Sequence, residues 1–473
     1  MTRMVSTSTS TCICLAVLLL TAFSAQSLNA ASVTLIAGGD VHWSDRSLRG
    51  QNESVVITNP SGVQVPVPWG KGWVGLPWDK GWQIGSVYLE GTSDLDDSDK
   101  RYPEVRRWRK VQGILSEGYG LDIVDEDAWL RYPFEKLSEV IKGADIAFAN
   151  LETPLSDRGR RVGYKFRGPP RFAEALADAG FDVVSTANNH AMDAGERGLL
   201  DTLEHLDRAD VSRVGSGHNL AEARRPAVVT RNGIKVAFLA YTQTENSGQA
   251  SFALSNRSGV APLDLGIVRQ DIQSVRDEVD IVAVSLHWGI ENVHQVHPAA
   301  RQLARDVIDA GADIILGHHP HVPRGIEVYR QKVIAYSFGN MVFGHNMGAP
   351  WGDNILARFI LSPGRVERVE VLPISGQGQA LSQPAVLQGE PAARVLEGFV
   401  KSSAQLNTTV TVEGEIAVIV PATAEIVPGA EVPLSIPMPK MGRYLIFTLA
   451  VAVSLVIFLG WRLIRRHQHA VIT

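Results

Sequence analysis

Eight side chains able to hold a metal ion fall in five short clusters: Asp40 and His42, Glu152, Asn189 and His190, His287, and His319 with His321. A dinuclear centre needs hard oxygen donors plus imidazoles, roughly eight protein contacts, and an acidic group lying between two cations about 3.5 to 4 Å apart. The clusters supply all of these. Both cysteines, Cys12 and Cys14, sit at the extreme N-terminus, so thiolate ligation is excluded elsewhere and the donors must be His, Asp, Glu and Asn. Such a set suits two divalent ions, with Mn, Fe or Zn as the candidates. His319 and His321 are two apart across Pro320, and Asp40 and His42 share that spacing; each pair points one way if its backbone stays extended. Each cluster alone is commonplace, and Asn189 with His190 is equally read as the cap of a helix starting near Ala194. Convergence of the five clusters on one place is what would make them a site.

The elements around these clusters supply it. A unit of amphipathic helix, small-residue turn with an Asp, buried apolar strand and polar cluster recurs three times. Leu137 to Gly143 leads through Asp145 into Asn150-Leu151-Glu152, Phe172 to Gly180 leads through Asp182 into Asn188-Asn189-His190, and Ala300 to Gly311 leads through Asp313 into His318-His319-Pro320-His321. Further strands are expected at Val33 to Ala37, Lys235 to Ala240, Ile281 to Ser285 and Val333 to Tyr336. Continuous apolar strands alternating with helices predict an α/β fold with a largely parallel sheet covered on both faces. Ligands then bind beyond the carboxyl ends of the strands, where the polar clusters lie.

The chain of 473 residues is 45% hydrophobic and 20% charged, and its formal net charge is −5. It therefore has a core to bury and no basic stripe for a row of phosphates, so nucleic acid is not an expected partner. Residues 1–30 read as a signal peptide: Arg3, an apolar run from Cys12 to Ala22, then small residues. At the other end, 441–464 reads as a transmembrane helix, with Tyr444 and Trp461 as interfacial anchors and Arg462, Arg465 and Arg466 beyond. Residues 421–440 read as a Pro-rich tether and 465–473 as a cytoplasmic tail. The expectation is a single-pass protein of the cell membrane whose main domain, 31–365 with an extension at 366–420, is extracytoplasmic (periplasmic or cell surface). A Trp/Gly-rich insertion over 46–131 carries Trp69, Trp73, Trp78 and Trp82, read either as stacking groups or as loop-closing ones.

The ordered motifs Gly39-Asp40, Asn150-Leu151-Glu152, Ala187-Asn188-Asn189-His190 with Asp193, Ser285-Leu286-His287-Trp288-Gly289 with Glu291, Gly317 to Val322, and Tyr336-Ser337-Phe338-Gly339-Asn340 resemble those of the CapA/PgsA-like capsule and poly-γ-glutamate synthesis family. That resemblance covers roughly 33 to 410 apart from the insertion. It implies a four-layer α/β/β/α sandwich similar to calcineurin-like metallophosphoesterases, with Asp40, His42, Glu152, Asn189, His287, His319 and His321 as metal ligands. Glu152 stands where phosphoesterases usually present an Asp, and Asn188 replaces a glycine. His318 is left out of the ligand set.

His190 is assigned the general acid, just outside the ligands. Asn150, Asn188 and Asp193 are expected to support the centre. Glu291 is read as orienting His287 or another ligand, and Asn340 as a supporting residue or a turn former. Arg167, Arg324 and Lys165 are candidates for an anionic substrate. Two functions follow as expectations. One is a metal-dependent phosphoesterase-like hydrolase acting on an anionic polymer or phosphoester. The other is a non-catalytic assembly or polymer-binding subunit working with capsule or poly-γ-glutamate synthesis partners at the membrane.

Overall fold

The computed structural model describes residues 32–43, 125–158, 166–243, 251–343, 352–376 and 382–421, with the backbone of three strands between 53 and 89. The chain divides into two compact units, Met1–Glu425 and Ile426–Thr473, and every described residue lies in the first. In chain order the elements are β1 (Val33–His42), β2 (Glu53–Thr58), β3 (Gln64–Pro68), β4 (Gln83–Leu89), α1 (Glu126–Arg131), α2 (Ser138–Lys142), β5 (Ile146–Leu151), α3 (Phe172–Ala179), β6 (Val183–Ser185), α4 (Gly195–Arg208), β7 (Ser212–Val214) and β8 (Ser216–Gly217). Then follow α5 (Leu220–Ala223), β9 (Ala227–Arg231), β10 (Ile234–Thr242), β11 (Gly259–Val260), α6 (Leu265–Val275), β12 (Ile281–His287), α7 (Pro298–Asp309), β13 (Ile314–His318), β14 (Ile326–Tyr329), β15 (Lys332–Ala335) and β16 (Asn340–Phe343). The remainder are β17 (Asn354–Ser362), β18 (Arg365–Ile374), α8 (Gly389–Ala404), β19 (Thr411–Glu413) and β20 (Ile416–Ile419).

Two mixed sheets carry the site. The first has the order β19-β20-β18-β17-β1-β5-β6-β7, with β16 also paired to β1; the second runs β14-β15-β13-β12-β10-β9. Residues 366–420 are thus part of the first sheet, because β17 to β20 extend it antiparallel from β1. Period-two alternation sorts each strand between two cores. Leu35, Ala37, Phe148 and Val183 from one sheet meet Val236, Phe238, Ala283 and Leu316 from the other. Their neighbours Ile36, Ala147 and Val184 face α1, α2 and α3, while Leu239, Val282, Val284 and Ile315 face α6 and α7. Both faces of each sheet are therefore buried, and the layers read helix, sheet, sheet, helix. Phe148 and Phe238 stack at 5.4 Å across the central layer, and each fully buried side chain of this kind stabilises the fold by about 1.5–3 kcal/mol.

The Asp in each repeated turn has a definite task. Asp145, Asp182 and Asp313 each accept the backbone N–H of a residue at the start of the neighbouring parallel strand, namely Thr34, Ala147 and Val282, all at 2.8 Å. Each also donates its own N–H back to the carbonyl of that same residue. Asp280 does the same with Lys235. These reciprocal clamps fix strand register at the end of the sheets opposite the polar clusters, as a one-residue slip would exchange the two faces.

The strands run further than the apolar runs suggest. β1 continues through Asp40 to His42, and β13 ends on His318, because backbone pairing persists into the polar residues. The N-cap of α4 is Ala194, with no side-chain bond, so Asn189 and His190 are not its cap. Asn340 opens β16 instead of forming a turn; the turn is made by Gly339, at φ +76°. No helix among the described residues is long and apolar enough to cross a membrane. The expected signal peptide, tether, transmembrane helix and tail lie outside the described residues apart from Pro421, as do Lys165 and the insertion's tryptophans at 69, 73, 78 and 82.

Candidate metal centre

Strand pairing delivers the first half of the site. Asp40 on β1 is in register with Asn150 on β5 and with Asn340 on β16, so three adjacent strands present polar residues side by side. The approach of β1 to the turn before β16 is close: the Asp40 N–H donates to the Gly339 carbonyl at 3.0 Å, and a Cβ on Gly39 would collide with that carbonyl. Glu152 follows β5 and is pinned by its N–H to the Val41 carbonyl at 2.9 Å. The second sheet supplies His287 at the end of β12, paired with His318 at the end of β13.

His319 and His321 depart from the extended backbone their spacing predicts. Their φ angles are +92° and +58°, left-handed values that cost a non-glycine residue of order 1–3 kcal/mol each. The chain leaves β13 at His318, so no strand pairing holds it extended, and the resulting turn still brings both imidazoles to the centre. The His319 N–H donates to Asp40 Oδ2 at 3.2 Å, which ties this turn to β1.

The donor atoms are spaced as ligands. Glu152 Oε1 lies 3.7 Å from His287 Nε2 and 3.8 Å from His321 Nε2. His287 Nε2 lies 2.8 Å from Asn189 Oδ1 and 3.1 Å from His319 Nδ1. Ligands about 2.1 Å from one ion are separated by roughly 3–4 Å across ordinary coordination angles, which matches all of these but the His287–Asn189 approach, a hydrogen-bond distance. Besides the trio Glu291–His319–His321, which includes an exposed carboxylate, two fully buried trios result, Asp40–Glu152–His321 and Glu152–His287–His319, each with ligand atoms within 4.8 Å of one another. Glu152 belongs to both, the position of a bridging carboxylate. Both its oxygens are buried and neither has a hydrogen-bond partner. A fully enclosed carboxylate left in this state is costly unless a cation compensates it, so the residues fit a two-metal centre.

The electrostatics agree. Burial, and then the charge of Asp40, push the Glu152 carboxyl well above the usual range. Burial works in the same direction on Asp40, but the adjoining His318 and His321 imidazoles win and hold it well below that range. Burial and its imidazole neighbours depress His287, and burial takes His319 down to about 3. Both are therefore neutral at physiological pH, as ligands must be. His321 is the opposite case: burial lowers it, yet the Asp40 carboxylate and Asn340 raise it overall.

Around the ligands, Asn150 Nδ2 donates to Asp40 Oδ1 at 2.9 Å, and Asn188 Nδ2 donates to the Leu151 carbonyl at 2.8 Å, so both hold the strand ends. Asn188 Oδ1 also accepts the His190 N–H. His190 Nδ1 lies 2.6 Å from Asp193 Oδ2, and the same oxygen accepts the Phe166 N–H at 2.6 Å. The Phe166 ring stacks on His190 at 3.8 Å and on His42 at 4.0 Å. His42 thus lines the site against Phe166 and Phe343, and it joins neither ligand trio. Phe166 carried no signal in the sequence, lying in a Lys-Phe-Arg-Gly-Pro-Pro stretch with no chemistry of its own. His318 is fully buried, 3.6 Å from Asp40 Oδ1 and against Phe148 and Phe338, again outside the trios.

Three expectations about the periphery are refined. Glu291 faces His319, not His287: its Oε1 lies 3.9 Å from His319 Nε2, and its side chain is half exposed. The loop carrying it is fixed by Arg324, which donates to the carbonyls of Val293 at 2.8 Å and Ile290 at 3.0 Å. Arg324 is buried, no carboxylate pairs with it among the described residues, and burial lowers its guanidinium to about 10. Arg167 donates to the carbonyls of Asp157 and Arg158 and so closes its own loop.

Comparison with known proteins places the chain. The family model for the bacterial capsule synthesis protein PGA_cap matches residues 98–345, a stretch containing every ligand candidate except Asp40 and His42, which β1 brings in. The chain is 36% identical over 270 residues to the PGA biosynthesis protein CapA of Bacillus subtilis (strain 168), covering 55% of this chain and 70% of the relative. It is 31% identical over 284 residues to the capsule biosynthesis protein CapA of Bacillus anthracis, covering 58% of this chain and 66% of that one. Among solved structures, the calcineurin-like phosphoesterase YfkN from Bacillus subtilis aligns at a TM-score of 0.30 and 12% identity, covering 80% of this chain and 98% of that one. At that score the likeness adds nothing to the layers seen directly in the two sheets. By that matched stretch and its identity to the two CapA proteins, the chain is a member of the bacterial capsule synthesis protein PGA_cap family.

Proposed function

We propose that this protein is a membrane-anchored, extracytoplasmic hydrolase of capsule or poly-γ-glutamate synthesis, in which Asp40, Glu152, His287, His319 and His321 would hold two divalent cations and a His–Asp dyad would supply the proton as a phosphoester-type bond of an anionic envelope substrate is cleaved. Its assignment to that process is supported by the relatives, named for PGA and capsule biosynthesis. Anchoring and export are supported by the apolar segments near the two termini.

The observation that carries catalysis is the His190–Asp193 pair. A centre that only braced the fold would not need an imidazole held beside it, outside the ligand trios, by a partly buried carboxylate at 2.6 Å. Bound at the trios, the cations would neutralise charge on a phosphoryl group and supply a nucleophile from water near neutral pH. Asp193 accepts the Nδ1 proton, so His190 presents Nε2 as its working atom and can deliver a proton to the leaving oxygen. Phe166 restricts the ring by stacking and so limits the geometries from which that proton is delivered. Arg324 fixes the Ile290–Val293 loop at the mouth and adds positive charge that favours an anionic ligand.

The second reading, a non-catalytic assembly or polymer-binding subunit, is favoured by one feature: Glu152 is a methylene longer than the Asp usual at that position in phosphoesterases, a change that would alter how two ions could be held. Hydrolysis of bis(p-nitrophenyl) phosphate by the purified full chain with Mn²⁺ separates the two. The hydrolase reading expects turnover that His190→Ala lowers by about 10²–10⁴-fold with metal content unchanged. Metal-loaded protein without turnover on a panel of phosphoesters leaves the binding-subunit reading.

A further inference from the structure

Asn340 lies outside both ligand trios, yet its side chain touches one of the ligands. Asn340 Oδ1 is 2.8 Å from His321 Nδ1, and both residues are buried. A carbonyl oxygen only accepts, so Nδ1 must carry a proton, and in the neutral ring that binds a metal Nε2 is then the bare nitrogen. Nε2 is the atom that faces Glu152 Oε1 at 3.8 Å. The opposite tautomer would place a proton between His321 and the bridging carboxylate and close that ligand position.

We propose that Asn340 is a positioning residue that selects the metal-binding tautomer of His321. The inference rests on the two-metal reading of the site. Asn340 is itself held firmly: its backbone N–H donates to Asn354 Oδ1 at 3.1 Å, it pairs with Asp40 across β16 and β1, and Gly339 before it takes φ +76°. Its Nδ2 is buried with no hydrogen-bond partner, so the amide acts here through its oxygen alone. Asp40 Oδ2 also approaches His321 Nδ1, at 3.3 Å, but that oxygen already accepts the His319 N–H and serves the Asp40–Glu152–His321 trio. The shorter, unshared acceptor is Asn340. Because the oxygen is what matters, Asp at this position should serve as well as Asn, and a carboxylate partner also raises the basicity of a ligating imidazole.

The test uses the full chain stripped of metal, titrated calorimetrically with Mn²⁺ and separately with Zn²⁺, and labelled with [¹⁵N]histidine for tautomer assignment. Asn340→Ala should weaken one of two binding events by about 10–100-fold, the usual effect of losing a ligand's outer partner. It should also shift the His321 ¹⁵N pattern away from the Nδ1–H form. Asn340→Asp should restore both to within threefold of wild type, a rescue that a merely space-filling role would not give. Should Asn340→Ala fail to fold when metal-free, Asn340→Leu, close in volume and lacking the acceptor, puts the same question. Wild-type binding and an unchanged ¹⁵N pattern in Asn340→Ala or Asn340→Leu overturn the inference. So does failure of Asn340→Asp to rescue. Absence of metal binding by the wild type would instead overturn the two-metal reading.

Discussion

Substituting Glu152 by Gln should stabilise the metal-free protein while abolishing its response to metal. In the chelated fold Glu152 is fully enclosed, and neither oxygen has a hydrogen-bond partner. An uncompensated buried charge costs about 3–5 kcal/mol, whereas the neutral amide of Gln leaves unpaired polar atoms costing about 1–3 kcal/mol. The difference predicts a gain of about 2 kcal/mol for Glu152→Gln in EDTA at pH 8. The sign with pH follows from the raised carboxyl. As pH climbs past the usual glutamate range near 4.5, the unfolded chain releases this proton while the folded chain retains it. The unfolded state then binds fewer protons, so wild-type stability falls, by up to about 1.4 kcal/mol per pH unit, until the raised folded value is reached. Depressed His287 and His319 slope the other way below about pH 6.5, but both proteins share them and they cancel in the comparison. Urea unfolding of both proteins from pH 4 to 8, with EDTA and then with Mn²⁺, measures this directly. The order should reverse with metal, because each site filled to a hundred times its Kd adds about 2.7 kcal/mol to the wild type. A chelated Glu152→Gln protein about 1 kcal/mol or more below wild type at pH 8 would refute the reasoning.

Metal uptake at pH 7 should release protons, since Glu152 and His321 are both raised in the metal-free fold and must be deprotonated to act as ligands. Calorimetry in buffers of different ionisation enthalpy counts them, and zero release would contradict the assignment. Asp193→Asn should leave metal content intact and reduce phosphodiester turnover, because the amide can present its N–H₂ to His190 Nδ1 and reverse the tautomer; unchanged turnover would remove the dyad from the mechanism. Asp182→Ala should cost about 1–3 kcal/mol in unfolding measurements by leaving the Ala147 N–H unpaired, and Asp182→Asn should cost clearly less. Equal losses for the two would show that the clamp acts through charge, as in the Arg231 pair, and not as an acceptor.

The parallel strands and their polar ends were legible because each apolar run, such as Ile281 to Val284, is uninterrupted and is soon followed by a chemically distinct residue, here His287. The recurring Asp of each unit was visible as a pattern, but its clamp on the neighbouring strand depends on pairing between segments as far as 111 residues apart. The left-handed backbone at His319 and His321 was hidden because nothing in His-Pro-His marks a positive φ, whereas a glycine would have. His42 was expected among the ligands from its Asp-x-His spacing and from the family resemblance. Its ring stacks with Phe166, a neighbour supplied by a loop 124 positions away whose residues carry no periodic signal. The same holds for Asn340: a turn was the natural reading of Gly339-Asn340, and only the return of β16 beside β1 reveals its contact with His321.

Glu152 stands in both buried trios and would be shared by two metal sites. Metal per chain, measured by mass spectrometry on wild type and Glu152→Ala after reconstitution and dialysis, tests it most directly. The wild type should hold close to two ions, and the single substitution should lose both. Retention of two ions by Glu152→Ala, or a wild type that binds none, would contradict it.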